Sequence, residues 1–291
     1  MLQDNSERTY LGNLLGLARQ PRALAELAQF ISEQRRLLWL LLIWSVTMIF
    51  VPISLWTWGE ASMRAMLTVS VLVQATAVFE ILRSSWGWRR TLSVFAVIAV
   101  FTFGVEYIGS TTGFPFGHYH YTDLLLPHLG HVPLLIPFAW FMMLPGAWAV
   151  AAHFRYSRWR FAAVSTAALT AWDLLLDPQM VSWGLWVWDH PYGYFGIPWS
   201  NYAGWLLTGF VLTLIIRPKR VPERPLLFIY TITGLLNTLG LGLFWGLPGP
   251  ALVGGLAMMF FAFYGWRQHL RGEEVRGVLL QKNKVIYEAE K

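Results

Sequence analysis

Cysteine is absent from the 291-residue chain, which removes disulfides, iron–sulfur clusters, thiolate nucleophiles and Cys-type zinc sites together. Any catalysis then falls to carboxylates, His, Tyr or hydroxyls. Charge is scarce as well: Asp, Glu, Lys and Arg make up 13% of the residues, about half the share usual in a soluble domain. Only four lysines occur, Lys219, Lys282, Lys284 and Lys291, and all lie outside the apolar blocks. A retinal Schiff base inside a bundle, and with it a rhodopsin, is excluded. There is no Walker loop, no nucleotide fingerprint and no His-Glu-x-x-His pattern.

What the chain does have is apolar length. It is 56% hydrophobic, and apolar blocks run over residues 37–56, 65–82, 91–108, 132–152, 161–176, 199–216, 226–245 and 251–266. Each is about as long as the roughly 20 residues that cross hydrocarbon. The expected fold is all-α: a polytopic integral membrane helical bundle of about eight transmembrane helices, with two long aromatic-rich non-cytoplasmic loops. Of the 22 Lys and Arg, 21 fall before the first block or after the even-numbered ones, and Arg64 alone falls on the other side. By the positive-inside rule the rich side is cytoplasmic, and both termini with it. The net charge of +6 therefore reads as an insertion signal, and no nucleic acid is expected as a partner. Residues 1–36 read as a cytoplasmic amphipathic segment near the headgroups, with no signal peptide to be removed. Residues 37–266 form a single transmembrane domain, and residues 267–291 a cytoplasmic tail.

Two connections on the non-cytoplasmic side stand out. Residues 109–131 and 178–198 contain no Lys or Arg and are dense in Gly, Pro, Trp, Tyr and His. Their ends resemble each other: Gly130-His-Val-Pro leads to Trp140, and Gly196-Ile-Pro leads to Trp205. That likeness hints at a duplicated helix–loop–helix unit. The 17 Trp exceed what an interfacial belt needs, so some are expected to line a cavity, although a belt explains any single one equally well.

An acidic side chain inside hydrocarbon is a functional hypothesis by default. Asp173 and Asp177 lie at i and i+4 on one helical face, and Glu106 ends another block running the same way, so the three share a depth. Two carboxylates so close in a low dielectric cannot both ionise easily and share a proton. The plainer alternative is that Asp177, before Pro178, ends the helix while Asp173 bonds a neighbouring Trp or Tyr. Glu80 lies at the opposite, cytoplasmic end, three residues from Arg83, and a local ion pair explains it about as well as function does. In the first loop, Gly113-Phe-Pro-Phe-Gly-His-Tyr-His-Tyr121 is followed by Asp123, His128 and His131. Four histidines raise the question of zinc, but their spacing is not that of a known ligand set, and no metal is expected. His118, Tyr119 and Tyr121 are candidates for substrate contact, as are Trp186, Trp188 and Asp189 of the second loop and Asn201 at the start of the sixth block. The aromatic faces among them suit a cation.

At these residues the sequence resembles the membrane-integral carotenoid 1,2-hydratase (CruF-type) family of carotenoid biosynthesis proteins. The likeness covers roughly residues 79–209. It rests on Glu106-Tyr-Ile-Gly with Thr112-Gly-Phe-Pro-Phe-Gly-His-Tyr-x-Tyr121, on Asp173-Leu-Leu-Leu-Asp177-Pro, and on Gly196-Ile-Pro with Asn201-Tyr-Ala-Gly-Trp205. The resemblance implies addition of water across the C1–C2 double bond at an acyclic ψ end of a carotene such as γ-carotene, lycopene or a bacterioruberin precursor, with no cofactor. The partners it implies are the carotene in the bilayer, membrane lipids and other carotenoid-pathway enzymes. Hydration needs an acid, a shielded tertiary cation and a base for water. Asp173 or Asp177 is assigned as acid, the other or Glu106 as base. Two rivals stay open: a membrane lycopene cyclase, whose Pro-x-Glu-Glu motif is absent here, and a non-enzymatic transporter or lipid-binding scaffold.

Overall fold

Single glycines separate the first three helices, and both take backbone angles that a side chain disfavours: Gly59 at φ 84° and Gly87 at φ 77°. They turn the chain back on itself in one residue. In the computed structural model, which describes the backbone of residues 21–289 and the side chains of residue 35 and residues 37–273, the result is a series of long helices. These are α1 (Pro21–Trp58), α2 (Glu60–Trp86) and α3 (Trp88–Thr112). A loop holding the short strands β1 (Tyr119–Tyr121), β2 (His128–Leu129) and β3 (Val132–Pro133) leads to α4 (Ile136–Val150) and α5 (Arg158–Ser182). Strand β4 (Trp186–Trp188) precedes α6 (Trp199–Ile216), α7 (Glu223–Leu243) and α8 (Pro248–Ala289). The amphipathic segment expected over residues 1–36 lies mostly outside the described residues.

The protein is a helical membrane bundle. Among the described residues, six helices are long and apolar enough to cross a bilayer, namely α1 from Leu37, α2, α3, α6, α7 and α8 up to Glu273. Helix α4 is apolar but only 15 residues long, and α5 carries Ser165, Thr166, Thr170, Asp173, Asp177 and Gln179 among its buried residues. These two are the interior of the bundle. Trp140, Phe141, Met143, Leu144, Ala147 and Trp148 of α4 are almost wholly buried, and α4 packs against α2, α3, α5 and α7.

With no water in hydrocarbon, polar groups in the core must find partners within the protein. Trp148 donates its indole N–H to Thr213 over 3.0 Å, Tyr230 its hydroxyl to the Ala168 carbonyl over 2.8 Å, and Gln74 its amide to Thr233 over 3.1 Å. Each ties two helices together. Glu80 receives Arg83 through two contacts, of 2.7 and 2.5 Å, which gives it the local partner that its spacing predicts.

Candidate active site

The two long loops are not independent. Strand β1 pairs antiparallel with β4, Tyr119 opposite Trp188, His120 opposite Val187 and Tyr121 opposite Trp186. Side chains alternate across a strand, so the pairing sorts the loop residues by face. Tyr119, Tyr121, Trp186 and Trp188 turn inward and line a cavity of about 510 Å³, while His120 and Val187 face outward.

Glu106 enters this cavity from the end of α3 and accepts three hydrogen bonds. Tyr119 and Tyr121 donate to Oε2 over 2.5 and 2.8 Å, and the Trp140 indole donates to Oε1 over 3.3 Å. Burial first, and then the neighbouring Glu106, pushes both phenols well above their ordinary range. They remain donors at any physiological pH.

Asp177 reaches the same cavity from α5. Trp186 donates to Oδ1 over 2.9 Å, and Asn201 at the start of α6 donates to Oδ2. The Asn201 amide nitrogen also donates to Asp173 Oδ2 over 2.9 Å, so one side chain bridges both aspartates. Asp173 is fully buried and stands behind this bridge, outside the cavity lining. Its Oδ1 has no hydrogen-bond partner, and neither do the buried Trp172 Nε1 and Trp188 Nε1. Polar atoms buried in this way are uncommon and mark reserve hydrogen-bonding capacity beside the cavity.

Asp177 does not end its helix. Helix α5 continues through Pro178 to Ser182. Proline removes the N–H that would bond the carbonyl four residues earlier, and here that carbonyl, Leu174, accepts the Tyr194 hydroxyl over 3.2 Å instead. Burial raises the Tyr194 phenol to about 12, with a smaller push from Asp173. It stays protonated as this cap requires.

The same order of parts occurs twice: a carboxylate near the end of one helix, an inward aromatic strand, then a Trp on the next helix. Glu106, β1 and Trp140 make one set; Asp177, β4 and Trp205 make the other. The two tryptophans meet face to face, ring centroids 4.1 Å apart and planes 9° from parallel. Trp172 stands edge-on to Trp205 at 6.0 Å.

Of the residues singled out in the sequence, Glu106, Asp177, Tyr119, Tyr121, Trp186, Trp188 and Asn201 meet at the cavity. His118 and Asp189 stand outside its lining, the latter 3.3 Å from His120. His131 contacts Thr111 at 3.1 Å. Among the described residues no group of three or more His, Asp or Glu is placed to hold a metal ion. Trp140, Trp172 and Trp205 were not among the candidates, although the Gly–Pro approaches to Trp140 and Trp205 had marked two of them. Helices α1 and α7 complete the wall with residues that no motif signals, from Met48 to Trp56 and from Thr233 to Phe244.

Residues 66–261 match the family described as carotenoid biosynthesis protein. A bisanhydrobacterioruberin hydratase of Haloarcula japonica is 33% identical to this chain over 132 residues. That stretch is 44% of this chain and 45% of the relative. No solved structure matches.

Proposed function

We propose, for a chain that belongs to the carotenoid biosynthesis protein family, that it is a carotenoid hydratase. In this reading it adds water across the C1–C2 double bond of an acyclic carotene end. The observation that carries the proposal is that Glu106 and Asp177 enter one aromatic cavity of the helical bundle from different helices. The relative named as a hydratase adds weight to it.

Protonated Asp177, the aspartate that faces the cavity, delivers its proton to C2. A C2–H bond forms as the double bond breaks, leaving a tertiary cation at C1. The indoles of Trp140, Trp205, Trp186 and Trp188 line the cavity, and such π systems stabilise a cation. Water adds to C1, and its proton goes to Glu106, which three donors hold in place as acceptor. Proton exchange between the carboxyl groups and solvent restores the starting state. Asp173 acts through Asn201 as a positioning residue. The fold reads as eight crossings with the β1–β4 ribbon on the non-cytoplasmic face and both termini in the cytoplasm.

Expressing the protein in a host that accumulates acyclic carotenes tests the proposal. The expected product is heavier by one water. An isomeric ring product would identify a cyclase instead, and an unchanged carotene pool would favour a transporter or scaffold.

A further inference from the structure

The cavity that holds the carboxylates is not closed. Ile49 and Trp56 of α1, with Leu239, Leu243 and Phe244 at the end of α7, both line it and stand exposed on the outside of the bundle, Leu243 by 70% and Trp56 by 63%. All five are apolar, and α1 and α7 are both membrane spans by length and composition. The opening therefore faces hydrocarbon. Trp56 and Phe244 touch across it edge to face, ring centroids 5.3 Å apart. On one side of the mouth, Pro52 interrupts the hydrogen-bond ladder of α1, which makes that helix easier to bend there.

The size of the cavity adds a second constraint. A cavity of about 510 Å³ lies within the roughly 300–1,000 Å³ range of sites that enclose drug-sized ligands. An extended C40 polyene is about as long as the ~30 Å hydrocarbon core is thick, so such a site does not enclose its whole length.

We infer that the slot between α1 and α7 is a lateral portal for a long linear polyene, spanned by the Trp56–Phe244 contact, and that the cavity admits one end while the rest of the chain stays in the bilayer. This rests on the hydratase reading only for the chemistry at the inner end. Two consequences follow from one-end occupancy. The far end of the substrate is not read, and hydration of a symmetrical polyene at both ends requires release, reversal and re-entry between the two events.

The absence of cysteine gives a clean test. Trp56→Cys/Phe244→Cys, placed in lipid nanodiscs with lycopene as probe, is bridged by a short bifunctional thiol reagent that a reductant cleaves. The bridged and cleaved forms are the same folded protein, so misfolding cannot mimic the effect, and each single-cysteine variant with reagent is the control. The portal requires that bridging lower the initial rate of hydration at least about tenfold. It also requires that bridging lower the quenching of the total tryptophan fluorescence by lycopene below that of the cleaved form and of the single-cysteine controls, with rate and quenching both returning on cleavage. A bridged form that quenches and turns over like the cleaved one overturns the portal. If no form yields hydrate but the bridge still lowers quenching, the portal stands and the hydratase reading fails. Free singly hydrated lycopene is expected to build up before any doubly hydrated product; a doubly hydrated product without that pool overturns one-end occupancy.

Discussion

Asn201 gives its side-chain amide to Asp173 over 2.9 Å and to Asp177 as well, yet only Asp177 of the two aspartates lines the cavity. An amide shared in this way holds the pair in one geometry and gives its members different duties.

Asp177→Asn and Asp173→Asn are each expected to lower hydration at least about tenfold with the protein still inserted: an amide at 177 keeps the shape but cannot cycle a proton, and one at 173 weakens the charged acceptor that holds the Asn201 amide in place. The loss is expected to be deeper for Asp177→Asn. Turnover per unit of inserted protein decides the matter, and near-normal rates in both variants reject the carboxylate assignment.

Tyr119→Phe removes the shortest hydrogen bond to Glu106 without removing the ring. A hydrogen bond to a charged group is worth about 1.5–3 kcal/mol, so a loss of about tenfold or more in rate is expected. His120→Ala, on the outward face of the ribbon, is expected to cost far less. A reversal of that order, with metal recovered in the purified protein, would point back to the loop histidines.

The hydroxyl oxygen is expected to come from water. Product formed in H₂¹⁸O carries the label, product formed under ¹⁸O₂ in ordinary water does not, and D₂O places deuterium at C2. Mass spectrometry of the product reads all three, and label from dioxygen rejects hydration altogether.

Reporters fused at either terminus are expected in the cytoplasm, and reporters inserted beside His120 or Val187 on the opposite face. Termini on opposite sides would require an odd number of crossings and overturn the eight-span reading.

The sequence made much of this legible through periodicity and cost. Each apolar block holds a helix among the described residues, and six of these helices are long and apolar enough to cross a bilayer, because lipid leaves the backbone few other solutions. Glu106, Asp173 and Asp177 stood out because acids are expensive there. The alternation of Tyr119 and Tyr121, and of Trp186 and Trp188, carried the ribbon face, although nothing local said that the two segments pair. The helix through Pro178 escaped notice because its compensation, the Tyr194 hydroxyl on Leu174, comes from 20 residues further along the chain. The α1 and α7 walls of the cavity are ordinary apolar helix surface, and only packing turns them into a lining.

The pairing of β1 with β4 also bears on biogenesis. It joins residues as far as 69 positions apart, as Tyr119 and Trp188 are, so the ribbon cannot close until both strands have been made and the helices that flank them are in place. Insertion depends on the apolar blocks, which need no ribbon. Maturation of the aromatic wall is therefore a late event, separable from membrane integration, and lesions in the ribbon should yield chains that reach the bilayer intact but chemically inert.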